Sequence, residues 1–114
     1  MDEHFKKIEH DHDRKIMEKN YFLKIFKFIT RKWNIQILYE LEIHGGMNFN
    51  EIQRHLEGIS SRSLSDCFKE LEGLNLITRT VLDERPPKVL YELSDKGKGL
   101  IEISAFIVMY LTGI

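Results

Sequence analysis

Short polar and basic side chains crowd the stretch ISSRSLSDCFKELEG, residues 59–73. Its apolar residues Leu64, Phe68 and Leu71 recur at i, i+4 and i+7, so a helix would place them on one face. The opposite face would carry Ser61, Arg62, Ser65, Asp66 and Lys69. Arginine can read guanine edges or hold phosphate, and serine can contact base edges or the DNA backbone. The pattern therefore predicts a recognition helix, residues 60–73, with an anchored inner face and an outer face suited to a DNA groove.

A second short helix is predicted directly before this one. The segment EIQRHLE (51–57) has helical apolar spacing, and Asn50 is its predicted N-cap. Gly58 ends that helix, and Ser60 is the predicted N-cap of the recognition helix. Two short helices joined by a tight glycine-containing turn are typical of a helix-turn-helix.

A β-hairpin is predicted after the recognition helix. Two runs rich in β-branched and aromatic residues, LITRTVL (76–82) and VLYEL (89–93), are joined by DERPPK. The two prolines fall in the loop, where they remove no hydrogen bond from the ladder. Arg85 lies at the loop tip, where an exposed arginine has little structural purpose, and this favours contact with phosphate or the minor groove. The hairpin therefore predicts a wing, residues 82–89.

Long helices are predicted at both ends of the chain. No Gly or Pro interrupts residues 2–29, so they form one helix, whose apolar positions exceed a single stripe and indicate a partner subunit. Residues 32–44 form the next helix, which Gly45 ends in the left-handed conformation, and residues 47–49 form a short extended link. Ser94 caps the last helix. The predicted fold is mainly α with a small β-hairpin.

Four segments carry a resemblance to a known family. They are KWNIQILYEL (32–41), NFNEIQRHLEGIS (48–60), LSDCFKELEGLNLITRTV (64–81) and PPKVLYELSDKGKGL (86–100). Together they resemble the HxlR-type winged-helix transcriptional regulators, relatives of the MarR group. Leu90 replaces a glutamate common in the wing of that family, and Asn75 replaces a glycine. Neither change threatens the fold.

The resemblance implies a homodimer that binds an inverted repeat in double-stranded DNA, with its two recognition helices in successive major grooves. It implies DNA contacts at Ser61, Arg62, Ser65, Lys69, Arg85 and Lys88. It implies a dimer interface at Tyr21, Phe22, Ile25, Phe26, Ile103, Ile107 and Tyr110. Residues 1–114 would then be a single winged-helix domain, with dimerisation helices at 1–29 and 94–114 around a helix-turn-helix core at 30–93.

The charge of the chain does not itself indicate a nucleic-acid partner. The net charge is -1, and residues 54–88 contain six basic and six acidic side chains. A DNA-binding surface usually has a local excess of positive charge, so the acidic side chains should point elsewhere. A neutral surface would suit a winged-helix module that binds another protein, and this is the alternative function.

A regulator that responds to a thiol reagent or a ligand is a further alternative. Some members of the family sense thiol-reactive compounds through a cysteine ahead of the KW motif, and this chain has none there. Its single cysteine, Cys67, is expected to be a half-buried helix residue. The remaining routes to such a response are Cys67 itself and a pocket between helices.

No enzyme, metal site or cofactor is expected. The sequence has no nucleophile–base pair, paired-carboxylate motif or glycine-rich phosphate loop. Residues 10–13, HDHD, point in different directions on a helix and are expected to be solvated. The charged first residues and the absence of an apolar run of roughly 20 residues argue against a signal peptide and a membrane span. A cytoplasmic protein without membrane contact is expected.

Overall fold

Five helices and one β-hairpin form the part of the chain that the structure describes. This computed structural model describes residues 3–29 and 31–114, in two compact units, the first ending at Arg31 and the second beginning at Lys32. The elements are α1 (Glu3–Ile29), α2 (Asn34–His44), α3 (Phe49–His55), α4 (Ser61–Gly73), β1 (Ile77–Leu82), β2 (Lys88–Leu93) and α5 (Asp95–Thr112). The predicted fold class and order of elements are confirmed. Residues 1, 2 and 30, where predicted segments begin, lie outside the described residues.

α1 is one uninterrupted helix of 27 residues, as the absence of glycine and proline predicts. Six of the apolar side chains that the structure describes on α1 are at least half exposed: Met17, Tyr21, Phe22, Leu23, Ile25 and Phe26. The rings of Phe22 and Phe26, one turn apart, stack with their centroids 5.6 Å from each other. A helix with this much exposed apolar surface is typical of an interaction surface. None of the helices in the described residues is long and apolar enough to cross a membrane.

The core of the second unit forms where α2, α3 and α4 each bury one apolar face. The apolar side chains with no exposed surface in the described residues are Ile37, Leu38, Ile52, Leu64 and Leu71. Burying a side chain of this size contributes about 1.5–3 kcal/mol relative to leaving it in water. This burial holds the inner face of α4, as the i, i+4, i+7 spacing predicts.

Three aromatic rings join the hairpin to the helices. The ring of Phe68 on α4 stacks on Tyr91 of β2, with centroids 4.1 Å apart, and meets the edge of Phe49 of α3 at 5.7 Å. Met47 pairs with Tyr91 through two backbone hydrogen bonds, of 2.8 and 2.9 Å. The hairpin is therefore fixed to both helices of the helix-turn-helix.

The hairpin is antiparallel, from the pair Ile77–Leu93 to the pair Leu82–Lys88. Asn75 enters it with φ 59°, the left-handed conformation that its short side chain tolerates. Ser94 leaves it and caps α5 by accepting a hydrogen bond from the amide of Gly97 at 3.0 Å. The hairpin and the cap both agree with the prediction.

Three local predictions are wrong. The N-cap of α3 is Asn48 and not Asn50, since the Asn48 side chain accepts from the amide of Glu51 at 2.8 Å and the Glu51 side chain closes a capping box. Phe49 is therefore helical and does not belong to an extended link. Gly45 ends α2 with φ 75° and ψ -146°, a positive φ outside the left-handed helical region. For the N-cap of α3, the signal in the sequence was Glu51, three residues after Asn48.

Gly97 lies where the start of α5 passes the turn between α4 and β1, and a Cβ there would overlap the carbonyl oxygen of Leu76. Gly97→Ala is expected to lower the free energy of unfolding by about 1–3 kcal/mol, because the backbone must shift. Gly99→Ala is the matched control, since its Cβ would meet nothing within 4 Å and should stabilise the helix by about 0.5–1 kcal/mol. Urea denaturation measures both variants, and equal midpoints would argue against the close approach.

Candidate nucleic-acid interface

The outer face of α4 presents polar and basic side chains away from the core. Ser61, Arg62, Asp66 and Lys69 are exposed, and Ser65 is half-buried. The helix begins after Ser60, whose side-chain oxygen accepts from the amide of Ser63 at 3.0 Å, as the predicted N-cap requires. The cap and the buried inner stripe together fix which side chains of α4 face outwards.

Ser61 is held by the preceding helix. The side-chain amide of Gln53, on α3, donates to the hydroxyl of Ser61 at 3.1 Å and to the carbonyl oxygen of Ile59 at 3.4 Å. A hydroxyl can accept and donate at once, so Ser61 keeps its own hydrogen for another partner. The two helices of the helix-turn-helix are thus joined by a polar contact at their outer surface.

Arg62 and Lys69 are exposed cations on α4, and in the described part of the chain neither makes an ion pair. Asp66 lies one turn after Arg62 on α4, but the two side chains form no ion pair. Lys69 likewise forms no ion pair with Glu70 or Glu72. Both side chains keep their charge available for an anionic partner such as phosphate.

A groove of about 360 Å³ lies between α4 and the hairpin, lined by Phe49, Ser65, Phe68, Lys69, Glu72, Arg79 and Tyr91. Arg79 was not among the predicted contact residues. It lies directly opposite Tyr91 in the strand register, so the two side chains share one face of the hairpin. Because Tyr91 packs on α4, Arg79 comes beside Lys69 and Ser65. The signal in the sequence was the single basic residue in the strand segment LITRTVL (76–82), which is Arg79.

The predicted wing contacts are separate from this groove. Arg85 lies in the turn and Lys88 begins β2, both exposed. Lys88 is three residues from Tyr91, which corresponds to about 10 Å along a strand. The structure therefore brings Ser65, Lys69 and Arg79 together and leaves Arg85 and Lys88 at the far end of the hairpin.

Acidic side chains are interspersed with the basic ones. Asp83 and Glu84 are exposed beside Arg85, Asp66 is exposed on α4, and Glu72 lines the groove. The expectation that the acids point elsewhere is not met at these positions. Attraction to DNA on this mixed surface would therefore come from individual basic side chains and not from a local excess of positive charge.

The two halves of α5 differ in how far their side chains are buried. Its first half packs against α2, where the hydroxyls of Tyr39 and Ser104 lie 2.6 Å apart. From residue 105 to the end, every residue is exposed. The predicted interface residues on this helix are all more than half exposed: Ile103, Ile107 and Tyr110. They share this surface with Phe106 and Leu111, so α5 leaves a broad apolar face uncovered within the single chain.

Cys67 is half-buried on α4, between exposed Asp66 and buried Phe68. This placement agrees with the expected small helix residue. It gives the thiol partial access to solvent, on a helix whose outer face carries the predicted DNA contacts.

Known proteins resemble this chain across both the helix-turn-helix and the hairpin. Residues 28–112 match the family model described as HxlR-like helix-turn-helix. The uncharacterized HTH-type transcriptional regulator YvaP of Bacillus subtilis (strain 168) is 35% identical over 91 residues, which cover 80% of this chain and 83% of YvaP.

Solved structures resemble it as well. The reduced form of the transcriptional regulator YodB from B. subtilis superposes with a TM-score of 0.70 at 32% identity, covering 76% of this chain and 84% of YodB. The redox regulator HypR in its oxidised form gives a TM-score of 0.68 at 29% identity, covering 82% of this chain and 95% of HypR.

Proposed function

Because the chain belongs to the HxlR-like helix-turn-helix family, and is therefore a transcriptional regulator and not an enzyme, we propose that it acts as a homodimer on an inverted repeat in double-stranded DNA. α4 would enter the major groove, and residues 82–89 would contact the adjacent backbone or minor groove. The observation that carries the proposal is α4 itself, with an inner face fully buried and an outer face of short polar side chains and available cations. The expected cytoplasmic location belongs to this proposal.

The length and position of each side chain on α4 and the hairpin suggest which part of the DNA it would contact. Arg62, in the first turn of the helix, would read a base edge, and the shorter Ser61 and Ser65 would let the helix approach the groove closely. Lys69 and Arg79, on the groove beside the hairpin, would hold phosphate oxygens. Arg85 and Lys88 would hold a second stretch of backbone at the far end of the hairpin. The phosphate contacts would fix the position of the protein along the DNA, and Arg62 would provide the sequence specificity.

The dimer is supported by the uncovered apolar faces of the terminal helices. α1 and the second half of α5 each expose large apolar side chains that a soluble single chain rarely presents as a continuous patch. A two-fold dimer would place two copies of α4 about one helical turn of DNA apart, roughly 34–36 Å. An inverted repeat with that half-site spacing is the expected target.

Arg62→Ala tests this function most directly. A selection from random duplexes should enrich a palindromic sequence with the wild-type protein. Arg62→Ala should weaken binding to that sequence by about 1–3 kcal/mol, or roughly 5–150-fold, for each half-site. Discrimination should relax at one base pair in each half-site. Fluorescence anisotropy with the selected duplex and single-base variants measures both effects.

Arg14→Ala is the control, because Arg14 is an exposed arginine of α1 that already pairs with Asp11 and Glu18. It should leave affinity and sequence preference unchanged. A selection without enrichment, together with affinity that does not respond to salt, would instead support the winged-helix module that binds another protein.

A thiol input through Cys67 is not part of the proposal. YodB and HypR are described by their redox state, but in this chain no cysteine precedes Cys67. The apolar depression at the end of α5 is an open face and not an enclosed ligand cavity.

A further inference from the structure

Two histidines and a glutamate meet on the surface of the second unit. Glu40 and His44 lie one turn apart on α2, and His55 is the last residue of α3. One carboxylate oxygen of Glu40, Oε2, lies 3.2 Å from Nε2 of His44 and 3.1 Å from Nδ1 of His55. The two imidazole rings meet edge to face, with centroids 4.6 Å apart. Three groups that can bind a metal therefore converge from two helices.

The spacing of the three ligand atoms suits a small divalent ion. One ligand atom from each residue lies within 4.8 Å of the other two. In a tetrahedral zinc site, with metal–nitrogen distances of about 2.0–2.1 Å, ligand atoms lie roughly 3.3 Å apart. The two distances from Glu40 match that edge. The remaining edge joins two exposed imidazoles, which can approach each other by rotating their side chains.

The contacts with His44 and His55 do not fully account for the burial of the Glu40 carboxylate. Its Oε2 is buried and accepts no hydrogen bond of adequate geometry from the described residues, although the two ring nitrogens lie within 3.2 Å. A buried carboxylate oxygen is costly without a compensating partner, and a cation between the three ligands would supply one.

We propose that Glu40, His44 and His55 form a binding site for a divalent transition metal ion of the zinc class, with water at a fourth position. Two imidazoles and one carboxylate without thiolate suit Zn²⁺, Co²⁺ and Ni²⁺ better than the harder Mg²⁺ or Ca²⁺. The ion would join α2 to the end of α3, five residues before Ser60 caps α4. This inference does not depend on the proposed DNA binding.

The sequence alone does not indicate this metal site. His44 and His55 are eleven residues apart and separated by Gly45 and Gly46, so no short metal-binding motif appears. Only the packing of α3 against α2 brings the two side chains together. The histidines of residues 10–13, considered from the sequence, lie on α1, where Asp11 pairs with Arg14.

Metal binding by the full chain, stripped of metal with a chelator, tests the proposal without DNA. Zn²⁺ is titrated in competition with a chromogenic chelator, and Co²⁺ is added separately to read coordination from its visible absorption. The expected results are one Zn²⁺ per chain, an intense Co²⁺ band typical of four-coordinate geometry, and a higher melting temperature with metal. His44→Ala and His55→Ala should each weaken Zn²⁺ binding by more than about 100-fold, since loss of a second-shell partner alone costs 10–100-fold.

Matched controls separate this site from other histidines. Replacing His4, His10 and His12 together with alanine should leave the affinity and the stoichiometry unchanged. Glu40→Gln keeps the size of the side chain but removes its charge, and it should weaken binding while the metal-free melting temperature shows that the protein folds. Absence of saturable binding would overturn the proposal. So would binding that survives in His44→Ala and His55→Ala and disappears with the N-terminal replacements.

Discussion

Replacing Ile107 with glutamate is expected to convert the proposed dimer into a monomer and to weaken binding to an inverted repeat by roughly 10²–10⁴-fold. Ile107 lies in the uncovered apolar face of α5 and is 53% exposed in the single chain. A carboxylate in the middle of that face would have to be desolvated on association, which is costly without a partner charge. A monomer loses the effective concentration that links the two half-sites, and this sets the size of the effect. Analytical ultracentrifugation and anisotropy with the full inverted repeat measure the two consequences.

Glu102→Gln is the control for that experiment, because Glu102 is an exposed residue on α5 that already carries a charge. It should stay dimeric and bind with wild-type affinity. Binding of Ile107→Glu to a single half-site should also be unchanged, since α4 is untouched. A dimer that persists in Ile107→Glu would place the subunit interface elsewhere.

Phe68→Ala is expected to cost about 3–5 kcal/mol of folding free energy, the range for removing a buried aromatic ring. Phe68 is only 3% exposed and fills the space between Phe49 and Tyr91. Domains of this size are stable by about 5–15 kcal/mol, so a large share of the stability would be lost. Urea denaturation followed by circular dichroism gives the difference.

Two further variants make that result specific. Phe68→Leu should lose less than Phe68→Ala, because it leaves a smaller cavity. Ile43→Ala, at an apolar position of α2 that is 68% exposed, should change the stability by no more than about 0.5 kcal/mol. A loss in Phe68→Ala no larger than in Ile43→Ala would mean that the aromatic contact between α4 and the hairpin contributes little.

Local spacing was enough to predict most of the fold. The stripe of Leu64, Phe68 and Leu71 predicted which face of α4 is buried, and the paired β-branched runs predicted the hairpin. Errors arose where two residues could each serve as a cap. Asn48 and Asn50 are equally good N-caps by type, and the reciprocal contact with Glu51 decides between them.

The candidate sites were harder to predict because their members come from different elements. Arg79 reaches the groove only because Tyr91, its cross-strand neighbour, stacks on Phe68. His44 and His55 meet only because α3 packs on α2. Contacts of this kind depend on the angle at which two elements pack. The spacing of apolar residues within one segment carries no information about that angle. The DNA contacts and the dimer interface remain predictions.

The attachment of Tyr91 to both Phe68 and Met47 has a consequence for the thermodynamics of binding. A wing that is attached to the domain only through its two chain ends would lose conformational entropy on binding DNA, and this loss would reduce the affinity. Here a ring stack already fixes the hairpin to α4, and two backbone hydrogen bonds fix it to Met47, just before α3. Under the proposed function, the recognition helix and the wing would therefore reach DNA as a single preorganised unit, whose conformational entropy was already lost when the chain folded.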